Sequence, residues 1–240
     1  RGRIITPLKD RYGAQIRTHY PTDVDIELDI AEQEATMPEA DVAVVMPDFM
    51  SEVLVYLSQL ARQSPHINQR SGVSVRLTVS NYETLAAAAV RRTLRTGEAA
   101  AVPRVSDLDA LDPSTLGKVE IETLDDGRDG EIVGNLRKEA VRQAFTDAVD
   151  IEVQQEVVES FEEGRVVNAG DDISSVDYAA LVQEVPAFAR ALAELGYESG
   201  DLENPALVAS GIEFVLEGLH LSRRLNKESA AGAAVYRGRG

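Results

Sequence analysis

Residues 47–65, Pro-Asp-Phe-Met-Ser-Glu-Val-Leu-Val-Tyr-Leu-Ser-Gln-Leu-Ala-Arg-Gln-Ser-Pro, set the fold class. Phe49, Val53, Leu57 and Leu60 recur at three- and four-residue spacing, which lays one continuous apolar face along a helix. Pro47 suits the first turn of that helix, and Pro65 stops it. A face this apolar must be buried against other elements, so the same periodicity is sought on either side.

Upstream, Thr22 precedes an acidic helical stretch to about Ala35, with Val24, Leu28 and Ala31 on one stripe. Ala14 to Tyr20 alternates apolar and polar and halts at Pro21, which reads as a strand, although few partner strands follow. Downstream, Ser80 and Glu83 have capping-box spacing, with Leu85, Ala86, Ala89 and Val90 as the buried face and Gly97 as the stop. Lys118 to Leu124 alternates, residues 125–130 form a turn, and Glu131 to Val133 return, which reads as a small hairpin. A helical pattern from Asn135 toward Phe161 carries the stripe Leu136, Ala140, Ala144 and Ala148 and ends at Gly164. Val176 to Leu195 reads as a helix bent by Pro186, and the next begins with Asn204 as cap and Pro205 in its first turn. The tail from Ala230 to Gly240, rich in Ala, Gly and Arg, reads as a mobile end. No internal repeat is found.

The sequence therefore predicts a mainly α fold. Its 240 residues, 44% of them hydrophobic, suffice for one large domain or two small ones. Asp and Glu outnumber Lys and Arg by 41 to 24, a net charge of -17, which argues against nucleic-acid and anionic-membrane partners. The absence of cysteine removes thiolate chemistry and disulfides and fits a reducing compartment. No apolar run approaches the roughly 20 residues of a spanning helix, and the Arg1-Gly2-Arg3 start is unlike a signal peptide. A cytoplasmic chain is expected. It opens in what reads as a loop, as a piece of a larger protein would.

Several chemistries lack their motif. No Gly-x-x-x-x-Gly-Lys-Ser/Thr is present to cradle phosphates, and neither His-Glu-x-x-His nor Gly-x-Ser-x-Gly occurs. His19, His66 and His220 are widely separated and read as structural residues, so no metal is assigned to protein ligands. The turn at Asp125 has Gly130 at the sixth position of a calcium loop, but Gly127 and Leu136 occupy the third and twelfth, and a plain turn is the better reading.

Two arginines stand in informative contexts. Arg11 lies in Pro7-Leu8-Lys9-Asp10-Arg11-Tyr12-Gly13, a charged step where a guanidinium could stabilise phosphate charge in a neighbouring subunit. Arg76 follows the glycine-bearing turn Ser71-Gly72-Val73-Ser74-Val75 at a helix entrance, where the helix dipole opposes it and an anion would complement it. Taken singly, each is more often an ordinary surface residue.

In this order and separation the two motifs resemble the second half of an AAA+ ATPase of the magnesium chelatase subunit I group, related to the MoxR proteins. Met46-Pro47-Asp48-Phe49-Met50, Gly117-Lys118-Val119-Glu120 and Glu217-Gly218-Leu219-His220-Leu221 also look like the longer chelatase-like members, so the resemblance spans nearly the whole chain. It implies that residues 1–21 end the AAA+ core, residues 22–110 form the helical lid, and residues 111–240 are a helical extension with the hairpin near 118–134. Arg11, with Tyr12 replacing the usual Phe, matches the arginine finger acting in trans; Arg76 matches the sensor 2 arginine on ATP phosphates. ATP and Mg²⁺ would be the cofactors of a ring, a hexamer by analogy, that remodels a partner, which in such systems is often a von Willebrand factor A domain protein. Walker A, Walker B and sensor 1 are missing from these residues, so the chain alone should be inactive. The competing expectation is a non-catalytic acidic helical module that docks a basic partner.

Overall fold

The computed structural model describes residues 6–14, 16, 18–122, 127–162, 164–230 and 233–239. The fold is mainly α, with two small sheets among the described residues. In chain order the elements are α1 (Thr6–Lys9), α2 (Val24–Glu34), β1 (Ala43–Val44), α3 (Asp48–Gln63), α4 (Arg76–Thr96), β2 (Ala100–Ala101), a 3-10 turn (Val105–Ala110) and α5 (Leu111–Leu116). They continue with α6 (Asp129–Ala148), α7 (Ile151–Glu162), β3 (Val166–Gly170), α8 (Ser175–Glu184), α9 (Pro186–Glu194), α10 (Pro205–Leu221), β4 (Asn226–Ala230) and β5 (Ala233–Arg237).

α3 is the helix its apolar stripe requires. Phe49, Val53 and Leu57 are buried, and Phe49 meets Phe214 of α10 at 4.6 Å between ring centroids. Phe145 of α6 closes on the same ring edge-on at 6.0 Å. Each such ring contributes about 1.5–3 kcal/mol by burial, which makes the α3–α6–α10 contact the centre of the core. That core is continuous from Ala31 to Tyr236 and crosses residue 110 without a break. α10 touches the core nearly all round, and two glycines let it approach its neighbours. A Cβ on Gly218 would lie 2.1 Å from the Phe145 ring, and one on Gly211 would lie 2.2 Å from Leu192.

Several helix boundaries fall where local chemistry puts them. Asn204 Oδ1 accepts the Ala206 amide at 3.1 Å, with Pro205 in the first turn of α10. Gly97 closes α4 at φ +73°, its amide reaching Thr93 O at 2.8 Å.

Other expectations are corrected. α4 starts at Arg76, so Ser80 lies inside it; Glu83 instead accepts the Thr36 amide at 2.9 Å and ties α4 to the segment after α2. The 135–161 pattern is two helices, parted at Val149 and Asp150, and Pro186 begins a separate helix rather than bending one. The described residues of 14–20 join no strand, and Ile16 is 87% exposed; alternation without a sheet edge to pair with has nothing to satisfy its backbone.

The hairpin is not at 118–134. Ile121 makes a lone antiparallel bridge to Ile67, residues 123–126 lie outside the described residues, and 131–133 belong to α6. The helical stripe wins there, because Val133 continues Leu136, Ala140 and Ala144 one turn upstream and is buried. The small hairpin is β4–β5 instead, with Lys227 opposite Tyr236 and Ser229 opposite Ala234. β3 pairs antiparallel on the other side of β5, placing the expected mobile tail at the centre of a three-stranded sheet. Tyr236 is the reason: its ring is buried under α10.

Candidate functional site

The turn before α4 is pinned from below. Gly72 adopts φ +72°, and a Cβ there would stand 2.6 Å from Tyr20 Oη. That hydroxyl accepts the Val73 amide at 3.1 Å, while Arg62 lies 4.7 Å over the Tyr20 ring and donates through Nε to Val73 O at 3.1 Å. Arg62 is itself held by the fully buried Glu27, which receives Nη1 and Nη2 at 2.6 and 2.7 Å and also accepts the Thr78 hydroxyl. Residues from α2, α3 and the segment after α1 thus fix where α4 begins.

Arg76 is the first residue of α4, and its side chain is exposed. The first turn carries no acid, and among the described residues the guanidinium makes no ion pair. Its backbone amide donates to Ser74 Oγ at 3.2 Å. Helix dipole and guanidinium are both positive at this point, a combination complemented by an anion. Arg11 lies in the exposed turn after α1, where the Tyr12 amide reaches Lys9 O at 3.3 Å. Tyr12 is 67% exposed, and among the described residues nothing joins Arg11 to Arg76. The structure therefore brings Tyr20, rather than Arg11, against the Arg76 turn.

The histidines take local roles. His19 Nδ1 lies 2.7 Å from Tyr20 O, and His220 Nδ1 lies 3.2 Å from Leu225 O. His66 is exposed, and its carbonyl accepts the Glu122 amide. Among the described residues no group of three or more His, Asp or Glu is arranged to hold a metal. Among them, too, no helix is long and apolar enough to cross a membrane.

A second feature was not foreseen. A cavity of about 370 Å³ opens between α4, the 3-10 turn, α6, α10 and the three-stranded sheet. Arg91, which lines it, is fifteen residues along α4 from Arg76, or about 22 Å at 1.5 Å per residue. Two buried carboxylates, Glu213 and Glu217, stand one turn apart on α10 and form its floor. Glu213 accepts the Tyr178 hydroxyl at 2.7 Å and the Ser106 amide at 3.0 Å. Glu217 accepts the Tyr236 hydroxyl at 2.5 Å and the Lys227 ammonium at 2.7 Å. Burial, and next the adjacent carboxylates, push both tyrosines far above the usual phenol range, so each keeps its proton and serves as donor. Behind them Arg104, fully buried, pairs with Glu98 at 2.5 Å and donates to Ile173 O at 3.0 Å. Arg92 bridges Glu98 and Asp107 at 2.8 and 3.0 Å. This network holds α4, the 3-10 turn and α10 in register, since leaving any one of these charges unpaired costs several kcal/mol.

The sequence signal for this floor was Glu213 and Glu217 at i and i+4 in a helix otherwise almost wholly apolar, where acids need buried partners. The partners, Tyr178 and Tyr236, come from 35 residues upstream and 19 downstream, which no local pattern announces. Comparison with protein-family models, with curated proteins and with solved structures finds no match to this chain.

Proposed function

We propose that these residues are the end of the core (1–21), the lid (22–110) and the C-terminal extension (111–240) of a cytoplasmic AAA+ ATPase of the magnesium chelatase subunit I and MoxR type. In this reading ATP and Mg²⁺ sit between neighbouring copies in a ring, a hexamer by analogy. Arg11 reaches the γ-phosphate held by the next copy, Arg76 touches the phosphates held by its own, and hydrolysis drives remodelling of a partner such as a von Willebrand factor A domain protein. The chain has no P-loop, so the reading requires phosphate-binding residues from outside these 240.

The observation that carries it is Arg76. An exposed arginine begins a 21-residue helix whose first turn holds no acid, and the turn that delivers it is fixed by Gly72, Tyr20 and Arg62. A positioned cation that no acid among the described residues neutralises is what phosphoryl-group recognition uses. A finger that acts on a neighbour's nucleotide need not meet a sensor that acts on its own, so the separation of Arg11 from Arg76 leaves both roles open.

The test is nucleotide binding by the full-length polypeptide, followed with a fluorescent ATP analogue. Arg76→Ala should weaken binding about tenfold, the worth of one charge-assisted contact to phosphate, and Arg11→Ala should leave it unchanged. Unaltered binding in Arg76→Ala would return the arginine to the surface and favour the acidic interaction module.

A further inference from the structure

Along the cavity on α10, most charged side chains are paired with one another and two cations are not. Of the cations along it, Arg92 is engaged by Asp107 and Glu98, and Lys227 by Glu217. Arg137 reaches both Asp109 and Asp112 at 2.5 Å. Arg95 stands 3.7 and 3.5 Å from Asp171 and Asp172 at the exposed rim. That leaves Arg91 of α4 and Lys138 of α6, which line the cavity, are exposed, and make no ion pair among the described residues. The acids offer no relief, because Glu213 and Glu217 already hold tyrosine, amide and ammonium donors.

Ser106 lines the cavity; its Oγ is buried without a hydrogen-bond partner among the described residues, and its amide donates to Glu213. Two cations without an ion-pair partner among the described residues thus line one concavity in a chain of net charge -17.

We infer that this cavity binds a small organic oxyanion, its phosphate or carboxylate group seated by Arg91 and Lys138. Its 370 Å³ falls in the range of small-molecule pockets, roughly 300–1,000 Å³. Ala88, Val141 and Ala234 leave apolar wall for the rest of such a molecule. A large polyanion is disfavoured, because the surrounding acidic surface would repel whatever extends beyond the cavity. The site stands apart from the ATPase reading, since neither Arg11 nor Arg76 lines it.

The test is a titration of the 240-residue chain with sodium pyrophosphate and, separately, with citrate at constant ionic strength. Binding is followed by calorimetry and by the amide resonances of Ser106, Leu108 and Gly170. Saturable one-site binding of at least one anion is expected, with shifts centred on those amides and affinity weakened about tenfold or more in Arg91→Gln and in Lys138→Gln. Both positions are exposed, so these variants should keep the wild-type melting temperature. Response to pyrophosphate alone assigns phosphate, to citrate alone carboxylate, and to both a general oxyanion site. Arg76→Ala should leave the titration unchanged. If neither anion produces saturable shifts at these amides, or if both glutamine variants bind as the wild type does, the inference is overturned.

Discussion

Glu27 of α2 and Arg62 of α3 form a bidentate ion pair whose carboxylate is wholly buried, 35 residues apart in sequence. Arg62 in turn supports the Tyr20 ring and the Val73 carbonyl, so this pair underlies the turn that presents Arg76. Removing one partner leaves a buried charge without compensation. Glu27→Gln should therefore destabilise by about 3 kcal/mol, the lower end for such pairs, because Arg62 retains some contact with solvent. In a double-mutant cycle with Arg62→Met measured by urea denaturation, the double variant should cost clearly less than the sum of the singles. Strict additivity would show that the pair is not coupled.

Gly218→Ala sets two effects against each other. Alanine in place of a helical glycine favours the helix by about 1 kcal/mol, yet the new Cβ would lie 2.1–2.5 Å from three Phe145 ring atoms at the centre of the core. Overpacking of this kind costs about 1–3 kcal/mol and should win. Gly218→Ala is expected to lower the melting temperature, and Phe145→Leu in the same chain should make the substitution cheaper. A stabilised Gly218→Ala protein would contradict the packing described for α6 and α10.

Glu52 of α3 has its carboxyl held above the ordinary value of 4.5, first by burial and then by Asp48, Asp25 and Asp147. The folded state therefore binds this proton more tightly than the unfolded state. The resulting stability is present below pH 4.5 and is lost as pH rises through the folded pKa. Glu52→Gln should thus stabilise the protein at pH 7, with the advantage shrinking toward pH 4, as read from urea denaturation at both values. A difference independent of pH would remove the electrostatic explanation.

Long periodicity made helices legible, though not where one ended and the next began, as at Val149–Asp150 and Val185. α3 and α4 follow from their apolar stripes and the Gly97 stop, and the start of α10 from Asn204 and Pro205. Short signals failed in both directions. Ala14 to Tyr20 has the alternation of a strand, yet its described residues join none, while Ala233 to Arg237 alternates only in its burial and reads as part of a tail because alanine and glycine surround it. What decides between them is Tyr236 meeting Glu217, a tertiary contact. The cavity was hidden for a related reason: its floor, Ser106 wall and Arg91–Lys138 rim come from α10, the 3-10 turn, α4 and α6. Arg76 was legible as the start of a helix because Gly72 marks the turn before it; the Glu27 support beneath it was not, since an acid on an acidic helix looks solvated.

The ring-ATPase reading stands or falls on Mg²⁺-dependent ATP hydrolysis by the full-length polypeptide, wild type and Arg11→Ala, across a range of protein concentrations. Activity should rise as subunits assemble and fall about 10³-fold or more in Arg11→Ala, the scale of an arginine finger. Full turnover in Arg11→Ala, or no hydrolysis by the wild type at any concentration, would contradict that reading.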